Sequence, residues 1–381
     1  MEKCKGLLNA KKMNIYKPSY VQYKTNEEDI QSRQKLEEKQ ALQSRQRIQR
    51  GGSEIDQIVV KVRTPSEQDL DINTADNEDG KYYVTYTPEC DGHHDVVIEV
   101  NGQPLTSSPW SVHVKPHQYH AVRSFGSGGK VQGQFDCPFG IAISDKTGNI
   151  AVADTFNNRV QLFNSNGIYL REYGRKGLDA KKLHCPFSVA FNKSGEVTIC
   201  DSGGIFCLAE SGHFIKNIFN KHLINPVSIT IACDDRMLVS DSGDNKVKVL
   251  SPDGTKLLQS LSVPGFDECP WFALHHQDRF FVSYDKAQCV KIFDNEGEFL
   301  YDFGTEEPGK LCESFKLAVD KFNNLLVCDA ENCKAFTLGG KFLNSIIGQP
   351  ALNRNIFSVA VSNGGQVLIT DIAKHCVHVF E

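Results

Sequence analysis

The sequence predicts an all-β protein, and two observations support this. From residue 55 onward, short runs of β-branched and aromatic residues recur, as in Trp110–Val114 and Arg159–Phe163. Clusters of Gly, Asn, Asp and Pro separate the runs, as is typical of strands joined by tight turns. Of the 381 residues, 40% are hydrophobic and 23% are charged, which is a globular composition with room for two or three domains.

The first strands of the chain are predicted by turn dipeptides and by alternation. Asp79-Gly80 and Asn101-Gly102 are typical hairpin turns, because Gly tolerates the positive φ that such turns need. Tyr82, Val84 and Tyr86 alternate with polar residues, so one face of their strand is expected to be buried.

Residues 26–50 interrupt this pattern with a charged segment rich in Gln, Glu, Arg and Lys. Its apolar residues recur every six positions, which matches neither a helix face nor a coiled-coil seam. We interpret the segment as a solvated insertion, helical or disordered, and keep a partner-binding helix as the alternative.

A repeat fills the rest of the chain. Six segments consist of a β-run ending in Asp, a polar loop and a second β-run, and the aspartates are separated by 47, 40, 44, 44 and 42 residues. A Gly turn and a third run follow, and a fourth run lies upstream of each aspartate. Four short strands in such a unit predict a β-propeller blade, and six units predict six blades. The repeat aspartates are Asp154, Asp201, Asp241, Asp285, Asp329 and Asp371.

The last unit ends at Glu381, directly after its third run. An open sheet edge would favour aggregation, so a strand from elsewhere is expected to complete the unit. Residues 121–125 resemble the outer runs of other units, and we predict that they pair with residues 377–380 and close a propeller spanning residues 121–381.

The repeats resemble NHL repeats, most closely at residues 150–154 and 157–160 and at Phe163. Residues 76–88 and 100–112 are similar to a filamin-type immunoglobulin-like domain. The resemblance implies a filamin-like β-sandwich over residues 4–116, followed by a six-bladed NHL propeller. This order of domains resembles the C-terminal half of a TRIM-NHL protein.

The family resemblance also implies ubiquitin-ligase activity, but the chain has no C-x₂-C pair for the zinc sites of a RING or B-box. It also lacks the long heptad run of the family's coiled coil. We therefore expect no enzyme, with ligase activity only if the chain is a fragment of a longer protein, and we expect a monomer.

Other chemistry is not expected. The thirteen cysteines are scattered and no signal peptide precedes them, which indicates reduced thiols that pack in the core of a cytoplasmic protein. No run is long and apolar enough for a membrane span. The inner runs of the repeats are mostly apolar or small, so we expect neither catalytic residues, metal nor cofactor. The repeat aspartates are interpreted as structural acceptors of backbone N–H groups.

Binding is expected on the face where the loops between second and third strands lie. Aromatic residues at the start of the units, Phe139, Phe187, Trp271 and Phe315, are expected near the same rim. The candidate residues for binding a partner or RNA are Phe156, Asn157, Arg159, Arg175, Lys176, Lys181 and Lys182.

Three hypotheses for function remain open. The first is a non-catalytic module that binds a partner protein through the propeller. The second is recognition of single-stranded or stem-loop RNA through the basic patch, as the resemblance implies. Residues 121–381 contain 26 basic and 29 acidic residues, so any such patch is local and its binding modest and salt-sensitive. The third is substrate recognition for a ubiquitin ligase whose catalytic half lies outside the chain.

Overall fold

The protein is described by a computed structural model. It divides into two compact units, Met1–Gln118 and Tyr119–Glu381. The predicted insertion at 26–50 lies outside the described residues. The structure describes residues 6–9, 12–16, 58–64, 69–72, 74–76, 82–85, 92–100, 102–104, 108–114, 117–174, 182–218, 220–347 and 355–381.

The first unit contains two sheets in the part of the chain that is described. One has the order β1-β2-β6-β5, in which β2 and β6 are parallel. The other has the order β4-β3-β7-β8, and β9 also pairs with β7. The strands are β1 (Gly6–Asn9), β2 (Lys12–Tyr16), β3 (Ile58–Arg63), β4 (Asp69–Ile72), β5 (Thr74–Asp76), β6 (Tyr82–Thr85), β7 (Gly92–Val100), β8 (Gln103–Pro104) and β9 (Trp110–Val114).

The second sheet of this unit buries one face. Val60 and Val62 of β3 lie opposite Ile98 and Val96 of β7, and all four side chains are buried. Their neighbours in sequence point to the other face because side chains alternate along a strand.

The second unit consists of six four-stranded sheets among the described residues. All neighbouring strands are antiparallel, and a short 3₁₀ helix, Thr155–Asn157, directly follows Asp154. Sheet 1 is β11 (Pro138–Ile143), β12 (Ile150–Asp154), β13 (Arg159–Phe163) and β14 (Tyr169–Tyr173); sheet 2 is β15 (Ser188–Phe191), β16 (Val197–Asp201), β17 (Gly204–Leu208) and β18 (Phe214–Ile218); sheet 3 is β19 (Pro226–Ile231), β20 (Met237–Asp241), β21 (Lys246–Leu250) and β22 (Leu257–Leu261); sheet 4 is β23 (Pro270–His276), β24 (Arg279–Tyr284), β25 (Cys289–Asp294) and β26 (Phe299–Phe303). Sheet 5 is β27 (Ser314–Val319), β28 (Asn324–Asp329), β29 (Cys333–Thr337) and β30 (Phe342–Ser345); sheet 6 is β31 (Ile356–Val361), β32 (Val367–Asp371), β33 (Cys376–Phe380) and β10 (Ala121–Phe125).

The sheets form a closed ring. The first strand of each sheet contacts the first strand of the next, and β31 of sheet 6 contacts β11 of sheet 1. The fourth strand of sheet 6 comes from the start of the unit: β10 pairs with β33, with Ala121 opposite Phe380 and Phe125 opposite Val377. The second unit therefore joins its first and last strands within one sheet. The all-β prediction is confirmed.

Apolar side chains fill the spaces between neighbouring sheets. One such cluster joins Val160 and Leu162 of sheet 1 to Val189 and Ile199 of sheet 2. Each of these four side chains is almost completely buried. Four of the six second strands are buried along their whole length, as in Ile150–Asp154, and β24 and β28 are buried after their first residue. Burial on both faces explains why these strands are continuous apolar runs that end at the aspartate.

A β-bulge near the start of the first strand recurs in five sheets. The register shifts between Pro138 and Ile141 in sheet 1 and between Pro270 and Phe272 in sheet 4, with equivalent shifts in sheets 3, 5 and 6. An extra residue in a bulge changes the direction of its side chain. The second residue of the first strand is aromatic in most sheets, so the bulge decides where these rings point.

Candidate functional site

One side of the ring, here called the aspartate face, carries the loops between second and third strands and the segments that join one sheet to the next. Buried aspartates at the ends of the second strands hold these loops. The backbone N–H of Asp136 donates to Asp154 Oδ1 at 2.6 Å, and that of Asn225 donates to Asp241 Oδ1 at 2.8 Å. The aspartates in this position are Asp154, Asp201, Asp241, Asp329 and Asp371, all 0–2% exposed.

The structure corrects the repeat assignment in sheet 4. Tyr284, not Asp285, is the last residue of β24 and pairs with Pro270, as Asp154 pairs with Pro138 in sheet 1. Asp285 is half-buried one residue later. Burial, and then the neighbouring Glu313, raise the pKa of its carboxyl group. The repeat spacing alone could not distinguish an aspartate at this position from one a residue beyond it.

The prediction that Arg159 binds a ligand is wrong because its side chain is fully buried. Its Nε donates to Asp154 Oδ2 and its Nη1 to Glu172 Oε2, both at 2.7 Å. Its Nη2 donates to the carbonyl oxygens of Val131 and Gln134 at 2.9 and 2.8 Å. The guanidinium group therefore joins sheet 1 to the segment before it, and no phosphate can reach it.

The other candidate residues differ in how far their side chains are exposed for binding a partner or RNA. The Asn157 side chain is held by Asp154 and by the Gly129 carbonyl oxygen at 2.9 Å. Phe156 is 58% exposed, and Lys182 is exposed as well. Arg175, Lys176 and Lys181 lie outside the described residues. Within the described part of the predicted patch, Phe156 and Lys182 are thus the exposed side chains.

The central channel opens on the aspartate face through an aromatic mouth. Its rings come from the bulge positions of the first strands, and Phe139 stacks on Phe357 with centroids 4.2 Å apart. Trp271 meets Phe357 edge-on at 6.2 Å, and the exposed Phe156 lies 6.2 Å from Phe139. Sequence analysis placed Phe139, Phe187 and Trp271 near this rim but missed Phe357. The side chain of Phe315 is outside the described atoms.

Behind the mouth lies a cavity of about 150 Å³. Its lining includes Gly140 and three serines, and the first strands approach one another closely there: a Cβ on Gly140 would lie 2.7 Å from the Phe187 carbonyl oxygen. The lining residues are Phe139, Gly140, Phe187, Ser188, Val227, Ser228, Trp271, Phe272, Lys316, Phe357 and Ser358.

Lys316 is the charged side chain among the residues that line the cavity, and it was not anticipated from the sequence. It is 9% exposed, and its Nζ donates to the Ile141 carbonyl oxygen at 2.5 Å. Burial lowers the pKa of Lys316 to about 7. The signal for it was a Lys in one repeat at the position where four of the other repeats carry Gly or Ser and one carries Phe.

Metal and thiol chemistry have no evident site in the described residues. No cluster of three His, Cys, Asp or Glu side chains there could hold a metal ion. The described cysteines are free, and burial raises the pKa of the Cys200 and Cys289 thiols. Among the described residues, no helix is long and apolar enough to cross a membrane.

Comparison with known proteins identifies relatives for both parts of the chain. Residues 19–111 match the model of the Filamin/ABP280 repeat. The chain is 34% identical over 119 residues to the E3 ubiquitin-protein ligase TRIM71 of Rattus norvegicus, which is 30% of this chain and 14% of that protein. It is 25% identical over 316 residues to the E3 ubiquitin-protein ligase NHLRC1 of Mus musculus, covering 75% of this chain and 76% of that protein. Protein lin-41 of Caenorhabditis elegans is 27% identical over 116 residues, 29% of this chain and 10% of that protein.

Solved structures support the propeller fold. A protein of unknown function from Bacteroides thetaiotaomicron superposes with a TM-score of 0.60 at 12% identity, covering 84% of this chain and 90% of that chain. A streptogramin B lyase superposes with a TM-score of 0.51 at 12% identity, covering 69% of this chain and 97% of that chain. At such low identity the likeness concerns the fold alone.

Proposed function

We propose, from the resemblance to the filamin and NHL part of TRIM-NHL proteins, that the chain is a non-catalytic recognition module that binds a partner protein through the aspartate face of its propeller. The observation that carries the proposal is the aromatic mouth with Phe156 beside it. Aromatic side chains dominate the binding energy of protein interfaces, and Phe156 exposes 58% of its surface to water. Covering such a ring is favourable because apolar surface leaves water.

Rigidity supports the same proposal. The loop that carries Phe156 is anchored at Asp154, and the rings of Phe139, Phe357 and Trp271 are held by the closed ring of first strands. A preformed surface loses little conformational entropy when it binds. We place this module in the cytoplasm, where reduced cysteines are expected, and expect it to be a monomer.

The proposal is tested by recovery of partners from cell extract with the full chain and two variants. Phe156→Ala removes the exposed ring at the mouth. Leu258→Ala is the matched control, because Leu258 is 52% exposed but lies on the outermost strand of sheet 3. Proteins that bind the mouth should be lost at least tenfold with Phe156→Ala and retained with Leu258→Ala. Equal losses with both variants, or with neither, contradict the proposal.

RNA binding is the second candidate, favoured by one observation: exposed Phe156 and Lys182 provide a ring for base stacking and a cation for phosphate. Because Arg159 is buried, binding should be weak and should fall steeply with salt. Retention of a random single-stranded RNA pool, measured at rising salt on the wild-type and Lys182→Glu chains, tests it. Absence of retention at low salt eliminates this candidate.

Because two of the relatives are ligases, we propose a third role for this chain. It selects the substrate of a ubiquitin ligase and does not itself transfer ubiquitin. TRIM71 and NHLRC1, to which this chain is similar, are both named as E3 ubiquitin-protein ligases. The chain incubated with ubiquitin, activating enzyme and a panel of conjugating enzymes should form no ubiquitin conjugates. Conjugates that depend on this chain contradict the assignment.

A further inference from the structure

Lys316 interrupts the repeat at the channel. It is the third residue of the first strand of sheet 5 and lines the cavity behind the aromatic mouth. A lysine there places an ammonium group between the sheets, at a position where most repeats carry the small residues Gly or Ser. The corresponding residues of the other sheets are Gly140, Ser188, Ser228, Phe272 and Ser358.

Among the described residues, the surroundings of Lys316 offer its ammonium group one hydrogen-bond acceptor. One acceptor, the Ile141 carbonyl oxygen, lies at 2.5 Å, and the face of the Phe272 ring lies 5.2 Å from Nζ. The titratable neighbour that interacts with it is Cys328 on β28, and no carboxylate of the described residues forms an ion pair with it. A buried charge without a counter-ion is costly, because an apolar surrounding solvates it poorly.

The cavity gives an anion access to this ammonium group. Its volume of about 150 Å³ is of the size that accepts a benzene molecule in a protein core, so a short side chain fits. The rings of Phe139, Phe357 and Trp271 line the cavity on the aspartate face. A ligand must therefore combine a negative tip with an apolar body or apolar neighbours.

Charge matching selects the kind of anion. A carboxylate carries one negative charge and balances one ammonium group. A phosphate carries up to two charges, and only one cation of the described residues lines the cavity. The carboxylate loses less hydration in entering, and its hydrogen bond with an ammonium group is charge-assisted.

We infer that the channel is the receptor for one acidic side chain, an Asp or Glu flanked by apolar residues in a loop of the partner protein, with Lys316 as its counter-ion. This inference rests on the proposed function, because the channel opens on the face that is proposed to bind protein. The aromatic mouth covers the apolar neighbours of the acidic residue, and Lys316 specifies the charge. The depressed pKa of Lys316 supports the same reading, since a bound carboxylate restores the charged form.

The test is a selection of phage-displayed random peptides on the immobilised full chain, after depletion on the Lys316→Met chain. Surviving peptides should share one Asp or Glu with apolar neighbours. As synthetic peptides they should bind the wild-type chain at least tenfold more tightly than Lys316→Met. Replacing the shared Glu by Gln should cause the same loss, with no additional loss on Lys316→Met, as expected for two groups that interact directly.

The controls separate this inference from the proposed function. Lys256→Met removes an exposed cation from the turn between β21 and β22, away from the aspartate face, and should leave peptide affinity within twofold. The comparison of Glu and Gln peptides on the wild-type chain needs no variant, so it decides the question even if Lys316→Met folds poorly. If no peptide survives depletion, or if Gln peptides bind as tightly as Glu peptides, the inference is overturned. Retention of a poly-uridine oligonucleotide that requires Lys316 would also overturn it, by assigning the channel to nucleic acid.

If Phe156→Ala abolishes partner recovery while Lys316→Met leaves it intact, the proposed function is supported. The inference that the channel binds an acidic side chain is then contradicted. If neither variant changes recovery, both fail.

Discussion

Arg159 Nε donates to Asp154 Oδ2 at 2.7 Å, and neither side chain is exposed to solvent. The same guanidinium group reaches Glu172 Oε2 and two backbone carbonyl oxygens. Burial, the largest influence, raises the pKa of Asp154, while the hydrogen bonds from Asp136 N–H and Arg159 oppose it. The pair is therefore a cross-link between sheet 1 and the preceding segment, which supports the loop that presents Phe156.

Replacing Arg159 should unfold this part of the molecule more easily without affecting ligand contacts directly. Arg159→Ala leaves the Asp154 carboxylate buried without its cation, and such losses cost about 3–5 kcal/mol. Chemical denaturation should show a lower free energy of unfolding. Lys182→Ala, at an exposed lysine, should change it by less than about 0.5 kcal/mol. Equal stability of the Arg159→Ala and wild-type chains would contradict the structural role.

Gly140 should tolerate no larger residue, because a Cβ there would lie 2.7 Å from the Phe187 carbonyl oxygen and 3.0 Å from Ser188 Cα. Both contacts are to backbone, so the first strands of sheets 1 and 2 would have to separate. Gly140→Ala should lower the free energy of unfolding by about 1–3 kcal/mol. Gly339→Ala is the control, since its nearest atom, Thr337 Oγ1, lies at 3.7 Å. Similar small effects of both substitutions would exclude close approach at Gly140.

Deleting residues 372–381 should abolish cooperative folding of the second unit. The deletion removes β33, which lies between β10 and β32, so sheet 6 loses two of its three ladders. The ring then has an open edge, and the apolar face of sheet 1 that packs on Val377 and Val379 is exposed. A truncated chain with an unchanged thermal midpoint would show that closure is dispensable.

The repeat was readable from the sequence because each strand shows a local pattern. A buried second strand is an apolar run that ends in aspartate, and a Gly turn follows the third strand. The pairing of β10 with β33 was likewise anticipated, since Ala121–Phe125 resembles the outer strands of other sheets. These signals lie within single strands and turns and recur in several repeats. A single sequence is therefore enough to detect them.

The candidate site was less predictable because its chemistry depends on distant contacts. Arg159 was expected in a surface patch, but Glu172 and the carbonyl oxygens of Val131 and Gln134 bury it. Lys316 lay in a run interpreted as mostly apolar or small. Its partner, the Ile141 carbonyl oxygen, belongs to another sheet and only the closed ring brings the two together.

The buried ammonium of Lys316 should make stability depend on pH in a definite direction. Its pKa is about 7 in the folded chain, against 10.5 for an ordinary lysine. Between these values the unfolded chain holds a proton that the folded chain has lost. The free energy of unfolding attributable to Lys316 therefore rises with pH from about 7 to about 10.5, and below 7 the cost of the buried charge is fully present.

Lys316→Met removes this charge and keeps most of the side-chain volume, so it should be more stable than the wild-type chain near pH 7. The difference should shrink by about 2–4 kcal/mol as the pH approaches 10, because neutral Lys316 no longer carries the cost of burial. Denaturation of both chains at several pH values measures it, and the titrations of other groups cancel in the difference. Ser358→Ala, in the same cavity, contains no titratable group and should differ from wild type by a constant amount. A constant difference for Lys316→Met as well would show that Lys316 keeps its charge throughout this range.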